Sequence, residues 1–497
     1  MSDVPTAKDE ASLLTGGELL SAVNGECIGK TDIAHLCFTS VVTDSRAVSA
    51  NALFIPLIGE NQDGHAYIPQ ALEKGASVVF VAKAVYEKNR TLYESLSALH
   101  GDVAFIAVFH TMHALQAAAA CYVSKFPQLV RCAVTGSSGK TTTKEITASI
   151  LRQKYAVVTN KGNLNSETGL PLSVFQIRRE HTLGLFEMGM NRVNEIGEIA
   201  AVLKPNYGIV TNIGTAHIGI LGSREAIAEE KKKIFTYVDK NGCAVIPADD
   251  DFADFLAAGV CGKIVRYGTQ SALLEQLGVH DVQFAGVQGT FFMLDSCAVH
   301  LPLPGVYNFK NALAAIALAR QLAVTSEQIK AGIEALDVAE SLGSRSRIRR
   351  GFYTVLEDCY NANPDSMQKA LELCADVTLG AGCKKVLVLG DMLELGSESV
   401  KAHEAAGKQA AQVQPDMIVF MGEEMQTAYE EVKKLLPEAR LFYEHEHTDE
   451  AVLRAVHAIL AFAPKGSFVL LKASRGMALE RFLPQLLGEE ASTGGAA

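Results

Sequence analysis

The sequence predicts an α/β protein of three domains: a small N-terminal α/β domain, a central P-loop ATPase-like domain with a mainly parallel sheet, and a C-terminal Rossmann-like domain. Three observations predict it. At 497 residues the chain is too long for one core and suggests about three. Short apolar runs alternate with helical patterns along most of its length, as parallel strands joined by crossover helices do. Residues 135–141 read Thr-Gly-Ser-Ser-Gly-Lys-Thr between an apolar run and a helix start, a turn suited to cradling phosphate.

The N-terminal block, 1–108, has strand candidates at 41–43, 53–55, 77–81 and 103–108, with a helical stretch at 68–74. The central block, 109–339, opens with a helix over 112–126. The strand 132–134 leads into the phosphate turn, and further strands are expected at 183–187, 207–212 and 243–246. Helices over 308–322 and 326–336 follow, and the polar, basic segment 341–350 reads as a linker. The third block, 340–497, places strands at 354–356, 385–389, 417–420 and 468–471 between helices, as a Rossmann-like sheet does. A small polar tail, 488–497, is expected to fray.

Composition is that of a soluble globular chain, 48% hydrophobic and 20% charged. A formal charge of −11 speaks against a nucleic-acid partner or an anionic-membrane binder. Residues 1–30 lack a basic stretch followed by an apolar core, and no apolar run approaches membrane-spanning length. Ten cysteines are scattered singly without a CxxC pair, which predicts reduced thiols and a cytoplasmic location.

The phosphate turn carries the clearest chemistry. Backbone N–H groups from Gly136, Ser137, Ser138 and Gly139 to the helix start at Thr142 are expected to face an anion. Lys140 supplies a point charge to terminal phosphates and the Thr141 hydroxyl can ligate Mg²⁺, so ATP is the expected nucleotide. Val134 stands where the longer loop has its first glycine, so this loop is a shortened form.

Glu187 ends a strand where a second Mg²⁺ ligand belongs, although alone such a residue also reads as a cap or surface group. His217 falls at the same sheet edge and reads either as a structural hydrogen-bonding residue or as a metal or substrate contact. On charge pattern alone, Glu229-Glu230-Lys231-Lys232-Lys233 is a solvated helix face. Asn308 suits a helix N-cap, and Asn311, one turn on, can hydrogen-bond a purine edge. Arg345 and Arg347 can clamp a γ-phosphate when domains close, or stay solvated. Polar loops 357–364 and 390–396 each follow a strand and mark a binding face at one sheet edge.

Taken in order, these phrases resemble the Mur ligases, the ATP-dependent amide ligases of peptidoglycan precursor synthesis, from about residue 41 to 480. Gly-Ser-Ser-Gly-Lys-Thr belongs to the superfamily as a whole. Tyr360-Asn361-Ala362-Asn363-Pro364 with Gly390-Asp391-Met392-Leu393-Glu394-Leu395-Gly396 resembles the dipeptide-adding branch, and no Asp-Asn-Pro-Arg stretch of the diaminopimelate-adding branch occurs. The resemblance implies joining of D-alanyl-D-alanine to UDP-N-acetylmuramoyl-tripeptide through an acyl phosphate, with release of ADP and phosphate. The rival readings are a third-amino-acid-adding ligase, a folylpolyglutamate synthase, or a non-catalytic, nucleotide-gated binding protein on the same scaffold.

The resemblance also implies roles. Residues 1–108 would bind the UDP-sugar, with Asp44, Ser45 and Arg46 on the uridine side; 109–339 would hold ATP, and 340–497 would bring the dipeptide. Asn163 and Asn165 resemble a loop beside the muramoyl-peptide. Asn311 is implied at adenine, Asp358 at the ribose, and Lys472, Ser474 and Arg475 near the substrate's peptide end. Asn361, Asn363, Asp391 and Glu394 join them as substrate contacts, and Arg345 is the favoured linker arginine.

Lys231 aligns with the lysine that Mur ligases carbamylate, which turns an amine into a carboxylate-like Mg²⁺ ligand. One Mg²⁺ is then expected on Thr141 and Glu187 and the other on His217 and carbamylated Lys231, with Lys140, His217 and Lys231 catalytic. Tyr307, Ala473 and Glu357 depart from the family's usual histidine, glycine and aspartate. A monomer without stable membrane insertion is expected.

Overall fold

The computed structural model describes residues 12–33, 36–59, 62–336, 347–375, 377 and 382–488. Three α/β sheets carry the chain. The first contains β1 (Glu26–Ile28), β2 (Ser40–Val42), β3 (Ala52–Phe54), β4 (Ala76–Ala82) and β5 (Ala104–Val108), ordered β1-β5-β4-β3-β2 with β1 antiparallel. The central sheet contains β6 (Val130–Thr135), β7 (Val157–Thr159), β8 (Leu183–Glu187), β9 (Tyr207–Val210), β10 (Cys243–Pro247) and β11 (Lys263–Tyr267). It is parallel throughout, in the order β11-β10-β9-β6-β8-β7.

A small antiparallel sheet of β12 (Val279–Phe284), β13 (Thr290–Leu294) and β14 (Cys297–Leu301) follows. The last sheet contains β15 (Arg347–Arg350), β16 (Thr354–Asp358), β17 (Lys385–Gly390), β18 (Met417–Met421), β19 (Arg440–Glu444) and β20 (Phe468–Lys472). Its order is β15-β16-β20-β17-β18-β19, with β15 antiparallel.

Burial on both faces explains the continuous apolar runs of these strands. In β6, Cys132 and Val134 join the core on one face while Ala133 joins the core on the other. In β17, Val386 and Val388 face one core, and Leu387 and Leu389 the opposite one. One core continues from the first sheet through the Thr111–Ser124 helix, which buries Ala114, Leu115 and Ala118, into a face of the central sheet. Among the described residues no helix is long and apolar enough to cross a membrane.

Two expectations need correction. The end of the supposed linker is the edge strand β15, paired antiparallel with β16, where Ile348 packs against the core and Arg349 pairs with Glu357 at 2.9 Å. Asn308 is not an N-cap: the Val306–Gln321 helix is capped at Gly305, and the Asn308 amide donates back to the Pro304 carbonyl at 2.8 Å. Residues 337–346, including Arg345 and the expected 339/340 boundary, lie outside the described residues, as does the tail from 489.

Candidate active site

The C-terminal ends of β6, β8 and β9 and those of β16 and β20 open on one cavity of about 1260 Å³. From β6 the chain builds β7 and β8 on one side and β9 to β11 on the other, so the cavity lies where the strand order reverses. Residues 137–142, Asn163, Asn165, Glu187, His217, Asn311, Asp358, Asn361, Asn363 and Lys472 all line it.

The phosphate loop joins β6 to the Lys140–Leu151 helix. Its two glycines are required by space. A Cβ at Gly136 would lie 1.8 Å from Thr211 Oγ1, and one at Gly139, where φ is +76°, would lie 2.6 Å from Asn311 Oδ1. Asn311 therefore packs directly against the loop. Asn212, at the end of β9, accepts from the N–H groups of Ser137 and Ser138 at 3.1 and 3.0 Å and fixes the loop's path. The Lys140 ammonium donates to the Gly136 carbonyl at 3.0 Å.

Glu187, 2% exposed, is the hub beside that loop. Its Oε2 accepts from the Thr141 hydroxyl at 2.8 Å and its Oε1 from the Asn165 amide at 2.7 Å. Asn160 holds it from behind: its Oδ1 accepts from the Glu187 N–H at 2.9 Å, and its amide donates to the Glu187 and Leu164 carbonyls. A hydroxyl and a carboxylate converging at a phosphate loop form a hard oxygen set that fits Mg²⁺. Among the described residues no three His, Cys, Asp or Glu side chains are placed to hold a metal ion by themselves, so such an ion would complete its shell with phosphate oxygens and water.

The acidic-basic run is not a solvated face. Lys231 and Glu230 are 1% and 2% exposed on the packed side of the Arg224–Lys232 helix. Glu230 accepts from the N–H groups of Asn194 and Ile196, both at 2.9 Å, and pairs with Lys233 at 2.7 Å. Burial, and then the charge of Lys140, push the Lys231 amine well below the usual lysine range. His217, at φ +68°, is lowered to about 4 by burial and by the charges of Lys231 and Lys140.

From the other sheet, Lys472 pairs with Asp358 at 2.9 Å and donates to the Asn361 carbonyl at 2.8 Å. Asn363 accepts from the Ser366 N–H at 2.8 Å and caps the Pro364–Ala375 helix, whose proline suits the first turn. Of the two basic-segment arginines considered, Arg347 lines the cavity from β15.

The remaining expected residues among those described do not line the cavity. Asp44 and Arg46 pair at 2.8 Å in a turn of the first sheet, and Ser45 donates to Gln70 at 2.6 Å. Asp391 is buried at the end of β17, where it accepts from the Met425 N–H at 2.9 Å, and burial raises its carboxyl. Ser474 accepts from the Leu393 N–H at 2.9 Å, Arg475 pairs with Glu480 at 3.2 Å, and Glu394 has φ +66°. Sequence reasoning overlooked Asn160, Asn212 and Lys369. Asn212 had a signal, since it ends the strand expected at 207–212; the other two had none beyond composition.

A glycine phosphate loop on a parallel sheet, faced by the strand ends of a second α/β sheet, defines a multidomain nucleotide-binding protein. Family profiles agree on which one. That of the Mur ligase middle domain matches residues 134–319, that of the Mur ligase family catalytic domain 38–122, and that of the Mur ligase glutamate ligase domain 344–475. The chain belongs to the Mur ligase family.

A UDP-N-acetylmuramoyl-tripeptide--D-alanyl-D-alanine ligase of Treponema pallidum is 41% identical over 477 residues, covering 96% of this chain and all of the relative. A Bacillus subtilis protein of the same name is 32% identical over 90% of this chain and 93% of its own. The crystal structure of MurF from Acinetobacter baumannii superposes with a TM-score of 0.81 at 30% identity, covering 96% of this chain and 99% of that one. The MurF ligase from Thermotoga maritima in complex with ADP gives 0.70 at 25% identity, over 90% and 97%.

Proposed function

We propose that this chain is an ATP-dependent ligase that joins D-alanyl-D-alanine to UDP-N-acetylmuramoyl-tripeptide in peptidoglycan precursor synthesis. The observation that carries this is likeness along essentially the whole chain to proteins of that activity, at up to 41% identity. The ADP complex of one such relative supports nucleotide at the phosphate loop.

A carboxylate oxygen is a poor leaving group, so the acid must first be activated. The tripeptide's terminal carboxylate attacks the γ-phosphate, the bond to the β-phosphate oxygen breaks, and an acyl phosphate and ADP result. The amine of D-alanyl-D-alanine then attacks the acyl carbon, and phosphate and a proton leave. No protein nucleophile is required; orientation can supply about 7–11 kcal/mol of the barrier lowering. Lys140 binds terminal phosphates, Asn311 contacts adenine, Asp358 the ribose, and Arg347 reaches the cavity from the third domain.

Residues 1–108 bind the UDP-sugar through Asp44, Ser45 and Arg46, residues 109–339 hold ATP, and residues 340–497 deliver the dipeptide. Asn163 and Asn165 reach the muramoyl-peptide, and Asn361, Asn363, Asp391, Glu394, Lys472, Ser474 and Arg475 serve the peptide substrates. Thr141 and Glu187 would hold one Mg²⁺, and His217 with carbamylated Lys231 another. When bound, Mg²⁺ spreads the charge of the transferring phosphoryl group. The buried, pKa-lowered Lys231 amine is the uncharged form that adds CO₂, which supports the modification. The enzyme is read as cytoplasmic, since its implied substrates are water-soluble, and as a monomer.

Purified protein with ATP, UDP-muramoyl-tripeptide and D-alanyl-D-alanine should release phosphate only when the dipeptide is present and yield a product of the joined mass. Absence of dipeptide-dependent release would overturn the reading.

A further inference from the structure

The Pro364–Ala375 helix carries Asp365, Lys369 and Glu372 at spacings of four and three, one stripe along its length. That stripe meets the central sheet. Asp365 accepts from Thr215, Glu372 accepts from the Tyr307 hydroxyl, and between them the Lys369 ammonium donates to Ser138 Oγ inside the phosphate loop. Lys369 lines the same cavity as Lys140 and lies 5.2 Å from the centre of the Tyr307 ring.

Its carboxylate neighbours are committed elsewhere. Asp365 Oδ2 takes both donors of Thr215, and Glu372 takes Tyr307 and the Gln368 amide. Among the described residues Lys369 makes no ion pair; burial, and then Lys140 and Lys310, lower its ammonium, while Asp365 and Glu372 nearby act the other way. Two ammonium groups converging on one loop are stabilised by an anion that both can touch.

We propose that Lys369 is a second lysine ligand for the phosphate chain of the bound nucleotide, delivered to the loop from the third domain. The inference rests on the nucleotide-dependent reading above and adds a residue that only domain apposition can supply. Because the cation arrives from another domain, nucleotide binding and domain apposition strengthen one another.

Full-length wild type, Lys369→Met, Lys369→Arg and Glu372→Gln are titrated calorimetrically with ADP and with a non-hydrolysable ATP analogue, with Mg²⁺, at two KCl concentrations. Thermal melts report folding. Lys369→Met should weaken both nucleotides about tenfold and make binding less sensitive to salt. Lys369→Arg should stay within about threefold of wild type, since the charge is kept. Glu372→Gln loses the carboxylate at Tyr307 and should retain wild-type salt sensitivity. Wild-type affinity in Lys369→Met overturns the inference alone, as does equal weakening in the methionine and arginine variants with unchanged salt sensitivity. A wild type that binds neither nucleotide overturns the ligase reading as well.

Discussion

Thr215 and Asp365 are joined twice: the threonine N–H and hydroxyl both donate to one carboxylate oxygen of the aspartate, at 3.0 and 2.7 Å. Thr215 follows β9 and Asp365 opens the Pro364–Ala375 helix, so the pair bridges the two sheets that share the cavity. Bonds to an ionised acceptor are worth more than neutral ones, about 1.5–3 kcal/mol each. Asp365→Ala is expected to lower kcat/KM for ligation at least tenfold while leaving the melting temperature within a few degrees, as the pair is solvent-accessible. Steady-state kinetics beside a thermal melt checks this; an equal loss in both would contradict it.

Gly139→Ala tests the loop itself. The residue sits at φ +76° with Asn311 against it, so a methyl group meets both backbone strain of roughly 1–2 kcal/mol and a clash at 2.6 Å. Nucleotide affinity should fall more than tenfold, and the urea midpoint should drop. Wild-type ADP binding in this variant would show that Asn311 and the loop yield easily.

Lys231→Ala removes the arm proposed to carry the carbamate. The variant should be nearly inactive and should regain part of its rate when short carboxylic acids such as acetate are added, because they can return a carboxylate to the space. Activity assays across an acetate series measure this. An unimpaired alanine variant would remove the carbamate proposal.

His217 sets a pH dependence of stability. Its unfolded imidazole takes a proton near 6.5, whereas the folded one resists until about 4. Between those values the unfolded state binds more protons, so the stability at stake is complete above 6.5 and is lost as pH falls towards 4. Wild type should therefore lose urea resistance relative to His217→Gln as pH falls from 7 to 4, and the difference between them should be flat above pH 7. A difference independent of pH would mean that His217 titrates normally.

What the sequence made legible was local. β6 with its phosphate loop and Glu187 at a strand end follow from apolar runs, glycines and strand termini, and the structure has them where the pattern predicts. β12 to β14 were not legible, because their faces are partly exposed and apolar residues fall on exposed as well as buried positions, so neither period stands out. Burial of Lys231 was hidden by flanking like charges, and it follows from which side of the helix meets the Glu195–Leu203 helix and the sheet. Lys369 carried no signal in the sequence, because its contact with Ser138 spans 231 residues of chain and depends on how domains meet. Asn160 was unmarked in the sequence, because its role depends on β8 lying beside it.

Glu187 has one oxygen held by Thr141 and the other by Asn165. Any occupant that draws the Asn165 amide toward itself leaves that second oxygen with a spare lone pair, more basic and better able to grip a cation. Reciprocity of linked equilibria then requires the cation to tighten the hold on that occupant in return. Acceptor and metal thus communicate through a single carboxylate, and the affinity of each, measured with and without the other, should rise together.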